Sequence, residues 1–471
     1  MKKSKSPYIW AMLNKFSLQL INLLTTMVCA RFIMPEEFGM IGVLSVFTTL
    51  ATTLVDAGMG GSLIKENNIT EKDCNTVYTF NLVFSIFFYI VIFIASPLIE
   101  QYFSIYGLAD VCRVVCIPLI INAMSIVPRT ILVKQLDFRA IFIVGVISYI
   151  IAACICIILA IFDWGVWALA LNYILIAIFE NIGYRYMAKG KYRIRFYVSS
   201  FKKLFSFGFL TTLCSIIETL YDNIVSLCLG KTMGPSQVGY FSQAKKIESA
   251  VSSSISKSVS NVMFSSLVKV NTNNKLFTDN SKIIQRTILA LSTPILAVII
   301  VFPEQIITVL LGKDWIEASL FLSLLSIAGF FNILEETSRT IIKSTGHANI
   351  LFKATVIRRS VGFIIIIITA LLNSKFIVHS FVLTSAMGAF INSIYITKHT
   401  TYTIKEQSIG ILRIFLAGCT LFFIMNILKN SVSSSLLSSI VISTLCVGGY
   451  YLLLPFIGVN ISYKNLRELF R

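Results

Sequence analysis

Apolar runs of about twenty residues recur along the whole of this chain, and no motif constrains its fold as strongly. A stretch of ~20 mostly apolar residues crosses a bilayer as a helix, and within a bilayer only helices or closed barrels satisfy every backbone polar group. These runs are too long for barrel strands. Of the 471 residues, 56% are hydrophobic and only 13% charged, against roughly a quarter charged in an average soluble domain. The sequence therefore predicts an all-α, polytopic membrane protein with about fourteen transmembrane helices. Their expected centres lie near Leu20, Leu50, Phe87, Ile121, Ile150, Leu175, Ile216, Ser253, Pro294, Ile327, Ile364, Ser385, Leu416 and Ile442. Spans 1, 7, 8 and 10 are weak by hydropathy because they carry charges, which leaves twelve as the alternative count.

Orientation follows from the cations. Lys2, Lys3 and Lys5 precede span 1, and the positive-inside rule keeps such a terminus in the cytoplasm. Of the 40 Lys and Arg, the outer loops of this topology hold only Arg113, Lys231, Lys313, Lys375 and Lys429. The others fall in cytoplasmic loops or within spans, so both termini are expected in the cytoplasm. A formal net charge of +18 lies in short loops beside membrane helices, where it sets topology and meets anionic lipid, which excludes nucleic acid as a partner. Lys15, Gln19 and Asn22 interrupt the first apolar run, so no cleavable signal is read there. The ten cysteines, Cys112/Cys116 and Cys154/Cys156 among them, fall mainly in apolar spans and read as small buried hydrophobes. His347, His379 and His399 are scattered, and no metal-ligand spacing is present. The loops leave no room for a catalytic or ATP-binding domain and no Walker glycine loop occurs, so no enzymatic activity and no cofactor are expected.

One unit is used twice. The hairpin Met34-Pro35-Glu36-Glu37-Phe38-Gly39 returns as Gly234-Pro235-Ser236-Gln237-Val238-Gly239 at an offset of 200. Asn122 with Arg129-Thr130-Ile131 returns as Asn332 with Arg339-Thr340-Ile341 at 210, and Asn181 and Tyr184 return as Asn392 and Tyr395 at 211. Three matches in one order, each at the same place in a six-span block, indicate homologous halves. The expected organisation is an N-terminal six-helix lobe (1–190), a basic cytoplasmic linker (191–203), a second six-helix lobe (204–400), and two further helices with a cytoplasmic tail (401–471). Halves with an even number of spans insert in the same direction, the parallel-repeat plan of transporters, with the substrate path expected between them.

Polar residues within the spans form stripes. Lys15, Gln19, Asn22 and Thr26 follow helical spacing on span 1; Thr211, Ser215, Glu218, Asp222 and Ser226 do so on span 7. Span 8 carries Ser242, Lys246, Ser249, Ser253, Ser256 and Ser260, with Lys245 and Lys257 adjacent; span 10 carries Asn332, Glu336, Arg339 and Lys343; span 4 carries Asn122, Ser125 and Arg129. A charge at the bilayer centre costs at least ~2.5–3.5 kcal/mol on insertion scales and usually faces the bundle interior or water, so the charged stripes point to a hydrated cavity. The serines alone fit helix-packing glue equally well. Pro97, Pro118, Pro128, Pro294 and Pro303 lie in or beside spans and predict kinks.

At Ala30-Arg31-Phe32-Ile33-Met34-Pro35-Glu36-Glu37-Phe38-Gly39 the chain resembles the opening signature of bacterial polysaccharide flippases of the O-antigen, colanic-acid and teichuronic-acid type. These belong to the multidrug/oligosaccharidyl-lipid/polysaccharide (MOP) exporter superfamily. Asp56-Ala57-Gly58-Met59-Gly60, then Pro128-Arg129 with Lys134 and Leu136-Asp137-Phe138-Arg139, then Asp222 with Gly239-Tyr240 and Ala244 continue the likeness in order. The resemblance implies two six-helix lobes around a cavity and alternating-access transfer of an undecaprenyl-diphosphate-linked oligosaccharide across the bacterial inner membrane, for lipopolysaccharide or other surface polysaccharide. On that reading Lys15, Arg129, Lys245, Lys246, Lys257 and Arg339 bind the diphosphate and any acidic sugars. Glu218 and Asp222 are candidates for an H⁺ or Na⁺ coupling site, or equally salt-bridge partners of the lysines. Membrane lipids and polysaccharide-assembly proteins are the further partners implied. The alternative is a cation-coupled small-molecule or drug exporter of the same superfamily, whose cavity would favour acidic residues.

Overall fold

The computed structural model describes residues 6–66, 68–190, 192–270, 273–346, 348–431 and 436–457. Helices take up nearly all of the backbone hydrogen bonding there, and the described residues contain no strand. In chain order the helices are α1 (Ser6–Cys29), α2 (Pro35–Asp56), α3 (Met59–Lys65), α4 (Glu71–Phe103), α5 (Leu108–Val115), α6 (Ile117–Lys134), α7 (Phe138–Ile161), α8 (Val166–Ala188) and α9 (Val198–Thr232). They continue as α10 (Pro235–Lys269), α11 (Asn274–Val301), α12 (Pro303–Leu310), α13 (Ala318–Ser344), α14 (Ala348–Leu372), α15 (Ile377–His399), α16 (Ile404–Ser431) and α17 (Leu436–Leu453).

Local chemistry sets many of these boundaries. Thr70 and Asp73 form a reciprocal capping box on α4, the Asp73 amide donating to Thr70 Oγ1 at 3.3 Å and the Thr70 amide to Asp73 Oδ2 at 3.0 Å. Asp137 caps α7 and Asn273 caps α11 by accepting from backbone amides. Pro35, Pro235 and Pro303 each start a helix, where the missing N–H costs nothing. The expected kinks resolve two ways. At Pro118 and Pro303 the chain breaks, after Cys116 and Phe302, and opens a new helix; Pro97, Pro128 and Pro294 are carried inside α4, α6 and α11.

Every expected span centre falls in a long helix. Among the described residues, eleven segments are long and apolar enough to cross a membrane; α1, α9 and α10, of 24, 35 and 35 residues, are long enough but are not among them. Span 10, expected to be weak, is one of the eleven. Arg31 lies in the turn after α1. Arg286 and Arg358 lie inside α11 and α14. Large apolar side chains face outward, Ile94 70% and Leu445 71% exposed, as lipid contact requires and water would penalise. Between helices, small residues carry the packing. The buried side of α7 is Gly145, Ser148, Ala152, Cys156 and Ala160, and Cys156 Sγ lies 3.6 Å from Cys29 Sγ of α1.

The chain divides into two compact units, Met1–Ser242 and Gln243–Arg471. The boundary falls in α10, beyond the linker at 191–203, because α9 packs on α2, α3 and α4 and so stays with the first unit. Within the first unit, α6 pairs with α4, α7 and α8, α7 pairs with α8, and the short α5 lies against α4 and α6. The second unit repeats the pattern: α13 pairs with α11, α14 and α15, α14 pairs with α15, and the short α12 lies against α11 and α13. The two C-terminal helices add to it, α16 packing on α11 and α17 on α16.

The repeated Pro-x-x-x-Gly hairpins meet within the first unit. A side chain on Gly39 would overlap the Pro235 carbonyl, and one on Gly239 would overlap the Pro35 carbonyl. The first turns of α2 and α10 thus cross backbone to backbone, and Ser236 Oγ donates to Glu36 Oε1 at 3.1 Å. Glu37 fixes α2 from its other side, accepting from the Met34 amide and from the Val166 amide at the start of α8.

Candidate functional site

The polar stripe on α13 lies on the accessible side of its helix, while apolar residues one position away are buried; the other stripes mix exposed and buried positions. On α13, Asn332, Glu336 and Arg339 are half-buried and Lys343 exposed, whereas Ile333, Ile341 and Ile342 are fully enclosed. On α1, Lys15 and Asn22 are exposed and Gln19 half-buried, with Thr26 buried at the end of the stripe. On α9, Glu218 is half-buried and Asp222 exposed. Among the basic candidates, Lys15 and Arg129 belong to the first unit, and Lys245, Lys246, Lys257 and Arg339 to the second. Lys245 and Lys246 are half-buried on α10; the Lys257 side chain lies outside the described residues, as do those of Thr211, Ser253, Ser256 and Ser260.

In the first unit, Arg129 stands exposed near the end of α6, within electrostatic reach of Glu180 and Tyr184 on α8. Tyr184 donates to Glu180 Oε1 at 3.2 Å. One turn earlier on α6, Ser125 accepts from Asn181 Nδ2 at 2.9 Å, and the same amide donates to the Ile121 carbonyl at 3.2 Å. Ser125 therefore ties α6 to α8, the packing role left open for the serines. Glu180 was not singled out from the sequence, although it adjoins Asn181 of the repeat.

In the second unit, Arg339 Nη1 lies 3.8 Å from Glu336 Oε2, one turn back on α13. The neighbouring Glu335 forms a different pair, a buried ion pair with Arg358 of α14, their side chains 12% and 5% exposed. Gly388 of α15 leaves the room for it, since a side chain there would collide with Arg358 and Glu335. At the repeat offset of 210 or 211 the first unit has Ser125, Ser148 and Ala177, all buried. Small neutral groups in one unit are thus matched in the other by two charges and a glycine. Glu248 of α10 is a further carboxylate missed from the sequence; it is buried against Gly329 of α13, within electrostatic reach of Lys245. Among the described residues no cluster of His, Cys, Asp or Glu is arranged to hold a metal.

Each unit thus carries basic candidates on its own helices. A membrane protein in the cps region of Klebsiella pneumoniae is 21% identical over 98% of this chain and 96% of its own. The teichuronic acid biosynthesis protein TuaB of Bacillus subtilis is 22% identical over 65% and 64%, and the lipopolysaccharide biosynthesis protein WzxC of Escherichia coli 22% over 72% and 69%. Among solved structures, the fold is similar to that of the lipid II flippase MurJ in an inward closed conformation, with a TM-score of 0.78 and 15% identity over 96% of this chain and all of that one. An inward-facing multidrug resistance MATE family transporter of the MOP superfamily has a TM-score of 0.63 and 14% identity over 86% and 98%. Residues 28–320, more than half of the chain, match the family described as polysaccharide biosynthesis protein, and this multi-pass membrane protein belongs to that family.

Proposed function

We propose that this protein flips an undecaprenyl-diphosphate-linked oligosaccharide from the cytoplasmic to the outer leaflet of the bacterial inner membrane, supplying cell-surface polysaccharide. The observation that carries the reading is membership of the polysaccharide biosynthesis family in a chain with basic residues on the accessible sides of its helices. The isoprenoid tail is at home in hydrocarbon throughout, so the protein's task is the polar head. Charged phosphate is excluded from hydrocarbon unless paired and hydrogen-bonded. Arg129 and Arg339, at equivalent places in the repeat, offer bidentate grips on phosphate oxygens; Lys15, Lys245, Lys246 and Lys257 add compact charge along the path.

Each half of the repeat, 1–190 and 204–400, acts as a lobe, and the rocking of one against the other alternates access; residues 401–471 are an appendage. Both termini are cytoplasmic. Glu218 and Asp222, one turn apart on α9, serve as the coupling site for H⁺ or Na⁺. Moving an anionic head outward from a negative interior also gains ~2.3 kcal/mol per charge per 100 mV. Enzymes that build and polymerise the glycan are its partners.

The test is the double variant Arg129→Ala with Lys246→Ala in a strain lacking the native copy. Surface polysaccharide should be lost and lipid-linked repeat units should accumulate on the cytoplasmic face, with the amount of membrane-inserted protein unchanged. Normal polysaccharide from that variant overturns the site. The MATE-like fold sustains a second reading, cation-coupled export of a small molecule; drug hypersensitivity of the deletion strain with intact polysaccharide would establish it instead.

A further inference from the structure

Between Glu180 and Glu218 the chain has no acidic residue, yet it carries Arg185, Lys189, Lys191, Arg193, Arg195, Lys202 and Lys203. Within this stretch, residues 192–197 form a non-helical strap fastened along the first turns of α4. The Arg193 amide donates to Asn75 Oδ1 at 2.9 Å, the Tyr197 amide to Thr76 Oγ1 at 3.2 Å, and Thr79 Oγ1 donates to the Arg195 carbonyl at 3.1 Å. Two aromatic pegs hold its ends. Tyr192 stacks on Tyr78 at 5.9 Å, and Tyr197 lies under the Lys72 ammonium at 5.6 Å. What the strap turns outward is Arg193, Ile194, Arg195 and Phe196, followed by Val198 at the start of α9; Ile194 is 69% and Phe196 47% exposed. The nearby acids Glu66 and Asp73 engage Lys203. Among the described residues, neither Arg193 nor Arg195 forms an ion pair through its side chain.

Water would reward the arginines and penalise Ile194, Phe196 and Val198; hydrocarbon would do the reverse. Only the boundary between headgroups and acyl chains suits both, and cations there are drawn to anionic lipid. We propose that this strap is a binding surface for anionic phospholipid headgroups, with Arg193 and Arg195 on the phosphates and Ile194, Phe196 and Val198 seated among the acyl chains. It anchors the link between α8 and α9 to the membrane surface. The inference does not require that the protein be a flippase, and it is tested without substrate and in symmetric bilayers, where sidedness plays no role.

Purified protein in nanodiscs of phosphatidylcholine mixed with phosphatidylglycerol, analysed by native mass spectrometry, should retain phosphatidylglycerol preferentially. Arg193→Ser with Arg195→Ser should cut that preference about tenfold, while the double lysine variant keeps most of it. Folding should be unaffected, because the strap is fastened through backbone groups. Unchanged preference in the serine variant overturns the proposal, as does retention of undecaprenyl diphosphate over phosphatidylglycerol through the same two arginines. A solvatochromic dye on Phe196→Cys should emit in the blue and resist an aqueous quencher; water-like emission also overturns it.

Discussion

Glu335 and Arg358 place two opposite charges inside a membrane bundle with almost no exposure. Removing one member of such a pair leaves the other uncompensated, a loss of about 3–5 kcal/mol, whereas replacing both with neutral groups is far milder. The first unit supplies the neutral version in Ser125 and Ser148. Thermal unfolding in detergent should therefore show Glu335→Gln and Arg358→Met each strongly destabilised, and Glu335→Ser with Arg358→Ser recovering much of the loss. A double variant destabilised by the sum of the two singles would mean that the pair is not coupled. The pair was not legible in the sequence for a definite reason. Glu336 and Arg339 fit a helical stripe, and adjacent Glu335 points about 100° away from Glu336 on the same helix, toward a partner 23 positions on. Lys353, Arg358 and Arg359 lie close together in the sequence, and only tertiary packing separates Arg358 from the other two. The accessible stripe itself was legible, since it needs nothing beyond helical period.

At the scale of elements, the repeat announced by two Pro-x-x-x-Gly hairpins becomes a crossing of α2 and α10 within the first unit. Proline starts each helix, and glycine four residues later lets the partner's carbonyl approach. Gly39→Ala and Gly239→Ala each drive a methyl group into backbone that cannot rotate away, a strain of about 1–3 kcal/mol. Gly42→Ala is the control, because its methyl would meet a side-chain atom of Val238 and not backbone. Thermal unfolding should rank Gly39→Ala and Gly239→Ala well below Gly42→Ala, and equal effects would refute the close crossing. A short thiol crosslinker should also join Glu36→Cys to Ser236→Cys, whose native side chains touch. The recurrent pairing of four long helices with one short helix was legible only as a repeat of spans. The packing of α9 on α2 was not, because the repeat reports ancestry and the contacts report which surfaces fit.

For the molecule as a whole, the number of crossings depends on α1, α9 and α10, the long helices outside those eleven segments. Helices of 35 residues reach about 52 Å, well beyond a hydrocarbon core of ~30 Å, so α9 and α10 can cross and still project. Their polar residues are no obstacle where they face other helices or water, and Tyr221, Val225, Leu229, Phe241 and Ala244 on the same two helices are buried. If both crossed or neither did, every later loop would keep its side, and the cation distribution from α11 onward would be the same. The turn between them separates the two topologies. In a cysteine-free background, Thr232→Cys, exposed at the end of α9, should react with a membrane-impermeant maleimide added to intact cells once the outer membrane, where there is one, has been opened. Lys398→Cys, at the other end of the expected topology, should react only after lysis. Protection of Thr232→Cys until lysis would put the α9–α10 hairpin wholly on the cytoplasmic side and leave Glu218, Asp222, Lys245 and Lys246 in water. Charges already hydrated would then need no cavity to explain them.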